Sequence, residues 1–431
     1  MRSWFGLLGV AVLCSACGNS VAPVKSQPVT ANYRLWLRTN SQVDSQIQIL
    51  DARHDRVVRR FSGGSVAPDW SRVYQIDRGR LRSVATDTGQ TLAETAVPTG
   101  FDFPRGDLFG DSLSGLSPKG AYLALQSLDR DGQLVVRSHY LVLNTSLSFP
   151  AVRIDLNGDF EYDALADDGS RLFLLEYTSR SETFGDQYRV RAYDLRTHRL
   201  QPGVIVDKRE SASPEPMSGS RVTAVSSTDG SWLYSLYLFG DKGPFIHALN
   251  LGGNGPAAWC IDLPQASSAN GEAQLLWSMV RAPNADRFYA VNAGLGIIAQ
   301  VDAGNPPTIS RTGRFAVQRQ SAFDFFGLVL NAEAKRMLIG GAALSLDGNT
   351  LYAVGEDGVY VIDVSSFRLL KHVMAGAPLE SVSLSPDGEW LFGSSNQRQQ
   401  VLALQLKTGA SSKTSVDPGI AAVLRAEPAA D

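Results

Sequence analysis

Short apolar runs alternate with Asp-Gly or Pro-Asp turns along most of the chain. The pattern is plainest at 343–354 and 382–392, where an apolar strand, a Ser-x-Asp-Gly turn and a second apolar strand follow one another. These runs are rich in Val, Leu, Tyr and Phe, and they lack the three-and-four apolar spacing of a helix. Gly tolerates the positive φ of a tight turn, and Asp accepts nearby backbone hydrogen bonds. The pattern predicts an all-β chain built from a repeated strand unit.

The opening strand and turn of this unit recur along the chain. Seven copies lie at 66–74, 116–123, 164–173, 225–233, 280–289, 343–354 and 382–392. The chain starts with strands at 33–38, 46–51 and 57–61 that have no opening strand, and it ends with a lone strand-like segment at 419–428. Joined together, the two ends complete one split unit and give a count of eight, with seven as the alternative. Such closure removes the exposed sheet edges that promote aggregation.

The repeats resemble the bacterial YVTN and WD40-like β-propeller repeats, in which a Ser-Pro-Asp-Gly turn follows the inner strand. Here that turn is Ser385-Pro386-Asp387-Gly388. The resemblance covers nearly all of residues 33–428 and implies four-stranded blades in a ring that the C-terminal strand closes by joining the N-terminal blade. It implies no catalytic residue, because the repeat motif is structural and propellers carry many unrelated activities.

The start of the chain has the layout of a bacterial export signal. A basic start precedes an apolar segment, 4–13, that is too short for a mature membrane helix, and small residues stand directly before Cys17. This order resembles a lipobox, although Cys14 stands where Leu is usual. The resemblance implies cleavage before Cys17 and attachment of lipid to that cysteine. The alternative is an ordinary secretory signal that is cut near Ala16.

We therefore predict a signal peptide (1–16), a flexible tether (17–32) and one propeller domain (33–431). The expected location is extracytoplasmic, with the lipid anchor as the contact with the membrane. With Cys14 removed and Cys17 lipidated, Cys260 would remain, so no intramolecular disulfide is expected. An apolar strand pattern surrounds Cys260 and favours a buried, inert thiol.

Composition and charge narrow the possible functions. The 431 residues are 44% hydrophobic, which is enough for a large core, and a formal net charge of −3 without a basic patch argues against a nucleic-acid partner. The histidines are scattered without zinc-ligand spacing, and no nucleophile elbow, phosphate loop or dinucleotide fingerprint occurs. We expect no cofactor. Whether the chain is an enzyme stays open, because scattered residues can converge on the channel of a propeller.

Three connections ahead of inner strands combine aromatic and acidic residues. They are Phe101-Asp102-Phe103, Phe160-Glu161-Tyr162 and Phe323-Asp324-Phe325. In a propeller these connections emerge on one face, so we consider them as a shared recognition surface for a ligand. The alternative is that the rings pack between blades as core, as most apolar side chains do.

A weaker hypothesis is a calcium site. Oxygen ligands stand at every second position at Asp155, Asn157, Asp159 and Glu161. Calcium takes several such oxygens, but the glycine of this stretch falls at the wrong place for an EF-hand loop. The alternative is a solvated connection between strands.

Two functions follow as expectations. The first is a membrane-tethered, non-enzymatic propeller that binds a protein, peptide or glycan outside the cytoplasm. The alternative is a periplasmic propeller enzyme, similar to lactonases or quinone-cofactor oxidoreductases, and it would need carboxylate, His and Arg side chains clustered near the axis.

Overall fold

The computed structural model describes residues 31–40, 45–105, 115–148, 151–180, 186–207, 215–238, 243–253, 255–265, 273–317, 341–416 and 419–429. Within these ranges the strands form eight antiparallel sheets, the blades of a β-propeller. The all-β prediction and the count of eight are therefore confirmed. Across the same ranges, no helix has the length and apolar composition needed to cross a membrane.

The first half of the ring contains blades 1 to 4. Blade 1 has β1 (Tyr33–Asn40), β2 (Ser45–Asp51) and β3 (Arg56–Ser62). Blade 2 has β4 (Gly64–Val66), β5 (Arg72–Asp77), β6 (Arg80–Ala85) and β7 (Thr91–Ala96). Blade 3 has β8 (Tyr122–Asp131), β9 (Leu134–Asn144) and β10 (Val152–Asn157). Blade 4 has β11 (Phe160–Leu165), β12 (Arg171–Ser179), β13 (Gln187–Asp194) and β14 (Arg199–Leu200), and the short β15 (Met217–Ser218) also pairs with β13.

The second half contains blades 5 to 8. Blade 5 has β16 (Ser220–Ser226), β17 (Trp232–Leu238), β18 (Phe245–Asn250) and β19 (Ala257–Asp262). A 3-10 helix (Ala273–Leu276) leads to blade 6, with β20 (Trp277–Arg281), β21 (Arg287–Asn292), β22 (Ile297–Asp302) and β23 (Thr308–Arg314). Blade 7 has β24 (Ala342–Leu344), β25 (Thr350–Gly355), β26 (Gly358–Asp363) and β27 (Arg368–Val373). Blade 8 has β28 (Ser381–Leu384), β29 (Trp390–Ser395), β30 (Gln400–Gln405) and β31 (Ser411–Ser415), and β32 (Ile420–Pro428) follows.

The last strand closes the ring. The sheet of blade 1 has the order β3-β2-β1-β32, so the C-terminal strand supplies the inner strand that the N-terminal segment lacks. The antiparallel register runs from Tyr33 opposite Pro428 to Thr39 opposite Ile420, with two irregularities. This pairing confirms the predicted split blade.

Blade 3 departs from the regular pattern. Its inner edge is held by two isolated bridges, Asp102 to Gln126 and Leu116 to Leu123, instead of a continuous inner strand. Because Asp102 pairs with β8, the Phe101-Asp102-Phe103 segment lies at the inner-strand position of this blade. The sequence analysis had placed it upstream of that strand.

The core lies between the blades. Among the described residues, eight clusters of buried apolar side chains occupy the eight contacts between neighbouring blades. Between blades 8 and 1, for example, Trp390 and Phe392 pack with Leu35, Leu37 and Val423. Each blade buries its apolar surface only against its neighbours, so stability depends on closure of the whole ring.

The Ser-x-Asp-Gly turns follow from local hydrogen bonds. Ser345 donates its hydroxyl hydrogen to Asp347 and accepts the backbone N–H of Thr350 at 2.8 Å. The Asp347 carboxylate also accepts the N–H of Asn349, and Gly348 has φ of +73°. The Ser345 hydroxyl is the main cause of the lowered pKa of Asp347. The same bonds recur in blades 5 and 8, so these carboxylates are already engaged within their own turns.

Candidate functional site

Polar side chains concentrate at one end of blade 4, where its inner strand begins. In an antiparallel blade, the start of the first strand and the link between the second and third strands lie on the same side. Here β11 follows Asp159 directly, and the link after β12 begins at Arg180. We call this side of the ring the strand-start face. The opposite side, which carries the Ser-x-Asp-Gly turns, is the turn face.

Arg180 is the centre of this group. Its guanidinium donates two hydrogen bonds to Asp159, at 2.7 and 2.9 Å, and forms ion pairs with Asp186 at 3.3 Å and Glu161 at 3.5 Å. It also lies 3.2 Å above the ring of Tyr177, whose hydroxyl donates to Glu161 at 2.7 Å. We call Asp159, Glu161, Arg180 and Asp186 the acidic cluster.

The acidic cluster carries an excess of negative charge. Three carboxylates surround one guanidinium, and Asp159 and Glu161 alone outnumber it by one charge. Burial opposes the charged form of Arg180, but the hydrogen bond to Asp159 and the charge of Glu161 raise its pKa. The Glu161 side chain is 41% exposed, so part of the negative surface is open to solvent.

A buried ion pair lies beneath the acidic cluster. Arg221, at the start of the inner strand of blade 5, donates to the Asp163 carboxylate of blade 4 at 2.8 Å, and the two side chains are 9% and 0% exposed. Arg221 also donates to the backbone carbonyls of Asp163 and Tyr162. Both strands have a register shift at these residues. Such irregularities redirect side chains and are common near functional sites.

Polar groups continue into the interface between blades 4 and 5. The rings of Tyr188 and Tyr237 stack at 5.6 Å, and burial raises the pKa of both hydroxyls, which therefore stay protonated. Burial lowers the pKa of His247, so this imidazole is neutral at pH 7. Both ring nitrogens of His247, the Ser235 hydroxyl and Asp163 Oδ2 are buried without a hydrogen-bond partner among the described residues. Buried polar atoms without partners are rare in proteins, and four of them lie close together at this interface.

The structure places the predicted aromatic residues in the core. Phe101 and Phe103 pack between blades 2 and 3, and Phe160 and Tyr162 pack between blades 3 and 4. Asp102 is exposed, and its carboxylate accepts the backbone N–H of Phe103. Glu161 joins the acidic cluster, together with Asp159 from the calcium hypothesis.

Four further predicted residues lie outside the described ranges. They are Cys17, Phe323, Asp324 and Phe325.

Three of the four residues of the calcium hypothesis are engaged in different contacts. Asp155 is bonded to His139 and Arg153, whereas Asp159 and Glu161 bind Arg180. Asn157 is exposed. Within the part of the chain that the structure describes, no group of three or more His, Cys, Asp or Glu side chains is arranged to hold a metal ion.

Cys260 has a histidine neighbour that the sequence did not indicate. It lies directly opposite His247 across the β18–β19 pair, where opposite Cβ atoms are about 5 Å apart. Asp207 accepts the backbone N–H of Cys260 at 2.8 Å. Cys260 is half-buried, which agrees only in part with the fully buried thiol that its apolar surroundings suggested.

Sequence reasoning missed Arg180, Arg221 and Asp163. One signal was available for Asp163 and Arg221, because a charged residue inside an inner strand must be buried or face a neighbouring blade. No sequence pattern links Asp163 with Arg221, because the two residues are 58 positions apart. Arg180 lies in a link between strands, where charged residues are common and carry no information on their own.

Several solved structures have a similar fold. The chain is similar to apo AztD from Citrobacter koseri, with a TM-score of 0.54 and 12% identity over 91% of this chain and 97% of that one. It is also similar to the dihydro-heme d1 dehydrogenase NirN, with a TM-score of 0.50 and 11% identity over 94% and 76% of the two chains.

A periplasmic gluconolactonase from Pseudomonas aeruginosa is more distant, with a TM-score of 0.42 and 15% identity over 90% of this chain and 97% of that one. No protein-family model matches the sequence, and the search of curated proteins found no relative. At these identities the likeness concerns the fold, which is that of a β-propeller.

Proposed function

We propose that this chain is a membrane-tethered, extracytoplasmic propeller that binds a protein or peptide through a basic side chain. The observation that carries the proposal is the acidic cluster, in which Asp159, Glu161 and Asp186 converge on Arg180 and the Glu161 side chain is 41% exposed. A lysine or arginine of a partner would supply the missing positive charge. Charge-assisted hydrogen bonds of this kind are among the stronger polar contacts that proteins make.

The geometry favours binding over a purely structural role for these carboxylates. Arg180 fixes Asp159 with two hydrogen bonds, and Tyr177 fixes Glu161 with one, so the negative groups are held in place before a partner arrives. Side chains that are already ordered lose less conformational entropy when a partner binds. The exposed carboxylate of Asp102 lies on the neighbouring blade, where it would extend the negative surface.

The tether rests on the lipobox-like sequence before Cys17. A lipid on Cys17 would hold the propeller at the outer side of a membrane. Cys17→Ser should abolish this modification and move the protein from the membrane fraction to the soluble fraction. Mass spectrometry of the N-terminal peptide tests the proposal directly, and an unmodified Cys17 in the wild-type protein would refute it.

Peptide arrays test the binding proposal. The wild-type protein should retain peptides that contain Lys or Arg at low salt and release them at high salt. The double variant Asp159→Asn, Glu161→Gln removes two negative charges and should lose this preference. The matched control, Asp87→Asn, Glu389→Gln, removes two charges from exposed residues on the turn face and should keep it. Equal retention by both double variants would refute the proposal.

The alternative function, a propeller enzyme, rests on a separate observation. Cys260 faces His247 across two strands, and Asp207 lies next to them, so a thiol, a neutral imidazole and a carboxylate share one region. A catalytic thiol would react faster than a free cysteine with iodoacetamide at neutral pH, and His247→Gln would slow that reaction. Reaction at the rate of free cysteine would remove this support.

A further inference from the structure

The turn face has a cavity at the end of the central axis. It measures about 570 Å³, and its walls come from the turns of blades 2, 3 and 5 and from the end of the inner strand of blade 6. Blade 6 stands opposite blade 2 in the ring of eight, so a cavity that both blades line spans the mouth of the channel. Its volume falls within the range of about 300–1,000 Å³ that is typical of small-molecule sites.

The mouth of the channel is lined by more positive than negative charge. Arg72, Lys119 and Arg281 contribute three positive charges and Asp69 one negative charge, which leaves an excess of two positive charges. Among the described residues, none of these three cations forms an ion pair, although Arg281 donates to the Ser226 carbonyl at 3.3 Å. A concave surface of one sign focuses the electric field and raises the local concentration of oppositely charged ligands.

The carboxylates near these cations are occupied by turn hydrogen bonds. Asp69 accepts the backbone N–H and the hydroxyl of Ser71, which are the leading causes of its lowered pKa. Outside the lining, Asp229 is bonded to Ser227 and Ser231, and Asp167 accepts the backbone N–H of Lys119. These carboxylates stay charged, and Arg72 and Lys119 help to lower the pKa of Asp69 and Asp229, but none of the three cations forms a direct ion pair with them among the described residues.

Close packing of neighbouring turns holds Lys119 in position. Gly230 has φ of +75°, and a Cβ added there would lie 2.4 Å from Asp167 Oδ2 and 3.4 Å from Lys119 Cγ. Gly120 is similarly covered by Pro68, at 2.7 Å from its notional Cβ. The turns of blades 2 to 5 therefore pack in sequence around the rim, with the stem of Lys119 against Gly230.

We propose that this mouth binds a small organic anion that carries two or more phosphate or carboxylate groups. Guanidinium groups bind both kinds of anion with paired hydrogen bonds, and Lys119 would add a point charge. Thr145, Ser227 and Thr228 also line the cavity and supply hydroxyls for neutral parts of the ligand. This site lies at the opposite end of the ring from the acidic cluster and does not depend on it.

Calorimetric titration with citrate and with fructose 1,6-bisphosphate tests the proposal, with sodium chloride of equal ionic strength as the blank. Saturable binding is expected in the micromolar to millimolar range. The double variant Lys119→Gln, Arg281→Gln should weaken it by about tenfold or more, since a hydrogen bond to a charged group contributes about 1.5–3 kcal/mol. The matched control Lys371→Gln, Arg368→Gln removes two exposed cations from the outer strand of blade 7 and should bind as wild type does.

A second arm distinguishes a free anion from a lipid headgroup. Vesicles that contain phosphatidylglycerol should not bind the isolated domain more tightly than vesicles of phosphatidylcholine. Binding to the anionic vesicles without binding to either soluble probe would overturn the proposal. Equal loss of affinity in the control variant, or the absence of saturable binding in wild-type protein whose melting temperature is normal, would also overturn it.

Discussion

Removal of β32 should unfold the entire propeller. Val423 and Ala426 of this strand are buried at 4% and 2% exposure, and they pack with Leu35 and Leu37 of β1. Full burial of a Val or Leu side chain contributes about 1.5–3 kcal/mol, so loss of buried Val423 and of the cover on Leu35 and Leu37 corresponds to at most about 5–9 kcal/mol. A domain has about 5–15 kcal/mol of total stability. Deletion of residues 417–431 should therefore remove most of the free energy of unfolding.

The assay is thermal and urea unfolding, followed by circular dichroism and by tryptophan fluorescence. The truncated chain should be unfolded or aggregated at 25 °C, and a synthetic peptide of residues 417–431 should restore β-sheet signal when added in trans. The control is Glu427→Gln, a substitution at a half-buried position of the same strand, and its melting temperature should stay near that of wild type. A truncated chain with wild-type melting, unaffected by the peptide, would refute the argument that the two ends share one blade.

Two further predictions concern buried and half-buried charges. Arg221→Met should destabilise the protein by about 3–5 kcal/mol, because it leaves the carboxylate of Asp163 buried without its cation, and the double variant with Asp163→Asn should recover most of that loss in urea unfolding. A double variant no more stable than Arg221→Met would contradict this account. The second prediction concerns His139, whose pKa is raised by its hydrogen bond to Asp129, against burial, and by Asp155. The stabilisation by charged His139 should be fully present below the ordinary His pKa of about 6.5 and should be lost as pH rises through the pKa of the folded protein. The melting temperatures of His139→Gln and wild type should therefore converge at higher pH. A difference that grows with pH would contradict the assignment.

The blades could be predicted from sequence because their turns are local. A Ser, an Asp and a Gly within four residues make the hydrogen bonds that reverse the chain, so each unit is visible without knowledge of its neighbours. The interruption in blade 3 was not predicted. Asp102 and Leu116 both pair with β8, although 13 residues stand between them in the sequence, and no local pattern shows that one strand position is filled from two separate segments.

The candidate site was only partly predictable, for a different reason. The aromatic-acidic segments were recognised, but the rings of Phe101 and Phe160 lie in cores between blades, while the acidic residue Glu161 reaches the surface. Neighbouring residues of a strand point in opposite directions, so a mixed segment divides its side chains between core and surface. Which carboxylates meet which cation depends on contacts between blades, and those contacts have no sequence period.

The repeat motif also explains why the carboxylates at the two ends of the ring have different partners. On the turn face the motif itself supplies the carboxylates, and each is engaged by the serine and backbone N–H groups of its own turn, as with Asp229 and Asp347. Some cations there form ion pairs, as Arg196 does with Asp168 and Arg287 with Asp302, whereas Arg281 donates to the backbone carbonyl of Ser226. On the strand-start face no motif constrains the carboxylates, and three of them converge on Arg180. Counting charged residues along the sequence therefore does not show which partner each carboxylate takes, because the turn hydrogen bonds are local and the contacts around Arg180 are not.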